Sequence, residues 1–168
     1  AADIGHYIAD ASVPLHTTYN YNGQYTNQDG IHSLWESKIP ELVNDYDYYT
    51  GKAVYLDKPL SFSWCLIRES FELVDSTLSL EKKLSQTYLE DYKYTPFTKN
   101  FKMTQQYSFE YILDYNDILN GMVERRMKRA VFATASFWYS AWVDAGQPDL
   151  MKLKNVDATD KFKKKQLI

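Results

Sequence analysis

The sequence predicts an all-α fold, and three observations carry that prediction. Apolar residues recur at helical spacing in several stretches, most clearly from Tyr115 to Asp144. Residues that mark helix ends, namely Pro14, Pro40, and Gly146 followed by Pro148, fall where such stretches stop or bend. No run alternates apolar and polar residues as a half-buried strand would, and no segment repeats.

The elements follow in chain order. Residues 1–13 place Ile4, Ile8 and Ala11 at helical spacing, and the segment stops before Pro14, so it reads as the end of a helix. The stretch Thr17 to Gly30, "TTYNYNGQYTNQDG", is polar and rich in Asn, Gly and Tyr, which predicts a loop built from turns. Asp29 is placed to cap the helix expected across "GIHSLWESKIPELVNDYDYYTG", with Pro40 kinking it. Residues 61–76, "SFSWCLIRESFELVDS", predict a helix whose apolar side is led by Trp64, Leu66, Ile67, Phe71 and Val74. A weaker helical piece and the connector "YTPFTKNF" follow. A long helix is then expected from Tyr115 to Asp144, capped by Gly146 with Pro148 beyond it.

At 168 residues the chain fits one domain, able to bury a core without disulfides or a metal staple. Its single cysteine, Cys65, excludes an intramolecular disulfide, and a place in an apolar helical stretch predicts a buried structural thiol. The formal charge of −3 gives no global basic field to attract a nucleic-acid backbone. The basic run "KFKKK" at 161–165 reads as a solvated tail, and Arg125, Lys128 and Arg129 in "ERRMKR" as a charged helix face, with phosphate contact the rarer meaning of each. No stretch of 18 apolar residues occurs, so no transmembrane helix is expected. The chain opens at Ala1, in what reads as the middle of a helix and without an initiator Met, so an upstream portion is expected.

All three histidines, His6, His16 and His32, lie in the first fifth of the sequence. Asp10 and Glu36 each stand four residues after a histidine, so on a helix His6/Asp10 and His32/Glu36 each project from one face about a turn apart. Two side chains so placed can grip one metal ion. His16 follows "VPL" at a helix-to-loop corner, from which its imidazole can be aimed back at the helices. Three N/O ligands and a water describe an open, catalytic zinc site, whereas a closed structural site more often uses thiolates. A lone histidine is more often a surface or hydrogen-bonded residue, but three of them with two correctly spaced carboxylates point to metal.

These residues resemble a family. "HYIADASVPLH" followed by "GIHSLWE" looks like the signature of zinc-dependent phospholipase C and the single-strand-specific zinc nucleases, with the similarity covering about residues 3 to 40. The resemblance implies a multi-helix fold, of which these residues are the C-terminal part, and an enzyme acting as a zinc-dependent phosphodiesterase. It implies that His6 and Asp10 bind one zinc of a three-zinc cluster, Asp10 also bridging to another ion, while His16, His32 and Glu36 hold the remaining ion beside an open water position. Family members complete the cluster from the preceding half of the protein. This chain offers no fourth histidine, so the missing half or another chain is needed, and one zinc or none is expected in these residues alone.

The substrate so implied is a phosphoester, either phospholipid or single-stranded nucleic acid, and the location secreted or periplasmic. Glu36 looks more like the phospholipase branch. Tyr19, Tyr21 and Tyr25 in the loop between ligands are placed to stack bases or to sit at a lipid interface. They also fit simple packing of the loop in a chain with 15 tyrosines. The rival reading is a non-catalytic helical module that binds zinc or another ligand.

Overall fold

The computed structural model describes residues 2–43, 45–99 and 102–153. These are mostly helical: α1 (Ala2–Asp10), a 3-10 turn (Pro14–Thr17), α2 (Ile31–Ser33) running through a π segment (Leu34–Lys38) into α3 (Ile39–Leu42), α4 (Pro59–Phe71), α5 (Val74–Ser85), α6 (Glu90–Lys93), α7 (Phe109–Ile118), α8 (Met122–Asp144) and a closing 3-10 turn (Leu150–Leu153). A two-stranded antiparallel hairpin, β1 (Tyr94–Lys99) and β2 (Lys102–Tyr107), interrupts them. No helix of the described residues is long and apolar enough to cross a membrane.

The hairpin corrects the expectation that strands are absent. Its register runs from Tyr94 opposite Tyr107 to Lys99 opposite Lys102. Thr, Gln and Lys line most of it and Pro96 sits within it, so the apolar alternation that betrays a half-buried strand is missing. What holds it is aromatic packing at one end: Tyr94 lies 5.1 Å from Tyr107, which stacks on Tyr111 at 5.4 Å between ring centres.

Other boundaries also shift, each for a local reason. The α-helical part of the first segment ends at Asp10, and residues 11–13 turn before Pro14 opens the 3-10 turn. Gly30, at φ +92°, is the residue before α2 and carries no side-chain cap. Its N–H donates instead to Asn22 Oδ1 at 3.1 Å, so Asp29 does not cap the helix. Pro40 has no N–H to close a regular turn, and just upstream the Ile39 N–H donates to the Leu34 carbonyl five residues back. The helix stops at Leu42 rather than continuing toward Gly51, because Val43 turns extended. The chain beyond reaches α8, where Ser136 and Ser140 hydroxyls accept the Val54 and Leu56 N–H groups at 3.2 and 2.8 Å.

The helix expected over 61–76 is two helices, α4 and α5, and of the face named from sequence Leu66 and Val74 turn inward while Trp64 and Phe71 do not. Leu66 and Ser70 are buried, whereas Trp64 is 62% exposed and Phe71 and Cys65 also face outward. Ser70 is drawn inward because its hydroxyl donates to the Ala11 carbonyl at 2.6 Å. The long helix expected from Tyr115 is likewise two, α7 and α8, divided where Asn120 and Gly121 both take positive φ. Its far end matches expectation: Gly146, at φ +80°, donates to the Val143 carbonyl and Gln147 to that of Trp142.

The main core joins Leu15, Ile31, Leu34, Trp35 and Ile39 to Tyr111, Tyr115, Leu119 and Val123 of the α7–α8 pair. Three of these stand directly before an expected ligand: Leu15 before His16, Ile31 before His32, Trp35 before Glu36. Burying such side chains stabilises by about 1.5–3 kcal/mol each. Each therefore fixes the backbone from which its neighbour projects to the surface.

Candidate metal centre

The five residues singled out by spacing converge. His32 Nε2 lies 2.7 Å from Glu36 Oε2, and His16 Nε2 lies 3.4 Å from the same oxygen. Asp10 stands between His16, 3.9 Å from its Oδ1, and His6, 3.4 Å from its Oδ2. The imidazoles of His16 and His32 meet edge to face at 4.7 Å between ring centres. The i, i+4 spacings set the two helical pairs, and the 3-10 turn at Pro14 brings His16 to both.

His16, His32 and Glu36 offer donor atoms all within 4.8 Å of one another. Ligands about 2.0–2.2 Å from a tetrahedral zinc stand roughly 3.3–3.6 Å apart. The His16–Glu36 separation already has that value, and the His32–Glu36 pair must open by only about 0.6 Å. Two imidazoles and one carboxylate are the donor set of an open zinc site, so the residues fit the ion. His6, with 72% of its side chain exposed, and Asp10 supply two donors at the outer end.

His32 has a support that sequence reasoning missed. Its Nδ1 lies 3.1 Å from the Tyr21 carbonyl oxygen, which assigns an N–H there and turns Nε2 toward Glu36. The hydrogen bond that His32 donates to Glu36 raises the His32 pKa above its ordinary value, against the opposing effect of burial. The same bond holds the Glu36 carboxyl below its ordinary value. A proton on Nε2 thus stands where a metal ion could replace it. No sequence signal marks a carbonyl as a partner, so Tyr21 was legible only as a loop aromatic.

The loop that carries Tyr21 is held by amides. Asn20 Oδ1 accepts the Tyr25 N–H at 2.8 Å, Gln24 Nε2 donates to the Tyr19 carbonyl at 2.7 Å, and the Asn20 amide donates to Thr26 at 3.0 Å. Its end is anchored where Gln28 donates to the Leu78 carbonyl at 2.8 Å and to the buried Glu81 carboxylate. Tyr19 is 93% exposed, and Tyr21 and Tyr25 also face solvent, so they do not pack the loop. The three amides, Asn20, Gln24 and Gln28, do that work, and the rings are displayed.

A cavity of about 260 Å³ adjoins Asp10 and Glu36, walled by Trp35, Tyr48, Val123 and Met127. The basic residues of α8 are spoken for within the fold. Arg125 donates to the Asn120 carbonyl at 2.6 Å, Lys128 lies 3.5 Å from both Asp47 and Glu124, and Arg129 pairs with Glu69 at 2.8 Å. That arrangement favours the charged-face reading of "ERRMKR". The basic run at 161–165 lies outside the described residues. Searches with the whole chain find no matching protein-family model, curated protein or solved structure.

Proposed function

We propose that these residues form the metal-binding part of a zinc-dependent phosphoester hydrolase, similar to zinc phospholipase C and the single-strand-specific nucleases. The observation that carries the reading is the convergence of His16, His32 and Glu36, with Asp10 standing between His16 and His6. Two of the four contacts among these five side chains, His6–Asp10 and His32–Glu36, were anticipated by spacing alone.

Zinc, when bound, supplies Lewis acidity toward phosphate oxygens and brings the pKa of a bound water to roughly 7. The chain's own residues act by placement. His16, His32 and Glu36 present three donors and leave a fourth position open. The Tyr21 carbonyl keeps a proton on His32 Nδ1, so that Nε2 alone is offered to the ion. Asp10, the residue for which a direct role in the reaction is proposed, can link the His16 end to the His6 end through its two oxygens. Any further ion at His6 and Asp10 would need its remaining donors from other polypeptide, either an upstream part of the protein or another chain. The substrate is a phosphodiester, phospholipid or single-stranded nucleic acid, met outside the cytoplasm.

The competing reading is a non-catalytic zinc module, which a single ion held by His16, His32 and Glu36 would also fit. Inorganic phosphate separates them. Loaded with cobalt(II) in place of zinc, the chain should broaden the ³¹P resonance of added phosphate through the open position, and His32→Ala should remove that effect. Cobalt binding without any phosphate broadening would support the module and overturn the hydrolase.

A further inference from the structure

Arg126 is 7% exposed, far less than its neighbours in the basic run, and was not among the residues that the run brought to notice. Its guanidinium sits where α1, α4 and α8 meet. Nε donates to the Ser12 carbonyl at 2.9 Å, Nη2 to the Ser70 hydroxyl at 2.7 Å and to the Leu66 carbonyl at 3.5 Å, and Nη1 to Glu69 at 3.3 Å. The Ser70 hydroxyl in turn donates to the Ala11 carbonyl.

Ala11 and Ser12 are the two residues after Asp10, where α1 has ended and its last carbonyls lack helical partners. Between Asp10 and His16 the chain must turn within a few residues for the two side chains to meet and for His16 to reach Glu36. The backbone makes that reversal with Val13 N–H on the Asp10 carbonyl and His16 N–H on the Val13 carbonyl. Neither bond uses the carbonyls of Ala11 or Ser12. Those two are held from outside, one by Arg126 directly and the other through Ser70.

We propose that Arg126 is a positioning residue for the candidate metal centre: through the Ala11 and Ser12 carbonyls it fixes the corner that sets Asp10 against His16 and brings His16 to Glu36. A planar guanidinium suits the task because its five N–H donors, spread over three nitrogens, reach Ser12 in the turn after α1 and Leu66, Glu69 and Ser70 on α4 together. Glu69 completes the clamp by holding Arg126 and, in a two-bonded pair at 2.9 and 2.8 Å, Arg129. The functional consequence rests on the zinc reading, but the positional claim does not.

Arg126→Met tests it. Glu69 keeps Arg129 in that variant, so no carboxylate is left without a partner. Cobalt(II) affinity should fall by about 10- to 100-fold, the usual effect of losing a support behind a ligand. The visible absorption bands of the cobalt should change as His16 withdraws. A crystal structure of the metal-free variant should show His16 Nε2 and Glu36 Oε2 parted beyond their 3.4 Å separation. A role confined to packing would lower the melting temperature and leave cobalt affinity, spectrum and that separation as they are, which would overturn the proposal. Should Arg126→Met fail to fold, Ser70→Ala removes the hydroxyl that links Arg126 to Ala11, keeps the Arg126 bond to Ser12 and should weaken cobalt several-fold, and unchanged binding by that variant would equally overturn it. If the native chain binds no cobalt, the zinc reading falls, while the metal-free separation in the variant still decides the positional claim.

Discussion

The proton shared by His32 and Glu36 makes one pair of residues a reporter for the whole site. Raised His32 and lowered Glu36 values mean that the pair is ionised between the two, and the sign of its contribution follows. Because the His32 value is raised, its stabilisation is complete below the unfolded value of about 6.5 and is lost as pH rises through the folded value. Because the Glu36 value is lowered, its stabilisation is present above the ordinary carboxyl value and is lost as pH falls through the folded value. Zinc must displace the His32 proton, so affinity should climb as pH rises through the raised His32 value and level off above it. Calorimetric titrations from acid to mildly alkaline pH check this, and affinity that is flat across that range would count against His32 as a ligand. At this scale the sequence spoke clearly where ligands share a helix face, as His6/Asp10 and His32/Glu36 do. It was silent on Tyr21, whose backbone oxygen does the work, and on Arg126, whose burial no pattern of charges reveals.

Among the elements, the loop from Thr17 to Gly30 matters most, since it delivers the Tyr21 carbonyl to His32. It turns at Gly23, where φ is +77° and an added Cβ would stand 2.3 Å from the Gln28 carbonyl oxygen. That carbonyl also accepts the Ile31 N–H, one residue before His32. Gly23→Ala should therefore destabilise the protein by more than about 1 kcal/mol and weaken zinc at the same time, as urea unfolding and metal titration would show. Zinc binding that is untouched by this change would mean the loop does not position His32. The loop's existence was legible from its Asn and Gly content, and its rigidity was not, because Asn20, Gln24 and Gln28 act through bonds to particular partners. The hairpin and the Asn120–Gly121 break escaped for related reasons. One is held by stacked tyrosines in place of apolar alternation, and the other is two residues inside a continuous helical period.

The whole molecule rests on a buried charge pair as well as on its apolar core. Glu81 is fully buried, with Lys93 Nζ at 3.2 Å, the Tyr111 hydroxyl donating at 2.6 Å, and the Gln28 amide on its second oxygen. Lys93 also lies within 5.1–5.8 Å of the ring centres of Tyr94, Tyr107 and Tyr111, which ties the hairpin to α7. Burial and the bond to Glu81 push the Tyr111 hydroxyl far above its ordinary value, so it stays a donor. Lys93→Met leaves the Glu81 carboxylate without its cation and should cost about 3–5 kcal/mol in urea unfolding, where a loss below about 1 kcal/mol would show that the pair is replaceable. The mostly helical architecture was legible from periodicity and end signals, whereas a charged pair in the interior was not, since Glu81 and Lys93 look like any solvated helix residues.

Zinc titration of the 168-residue chain by calorimetry tests the central claim most directly. Three donors converge at His16, His32 and Glu36, while His6 and Asp10 offer two, so one ion should bind at the former set. That site should vanish in His32→Ala and persist in His6→Ala. A tight site lost in His6→Ala yet indifferent to His32→Ala would contradict the assignment.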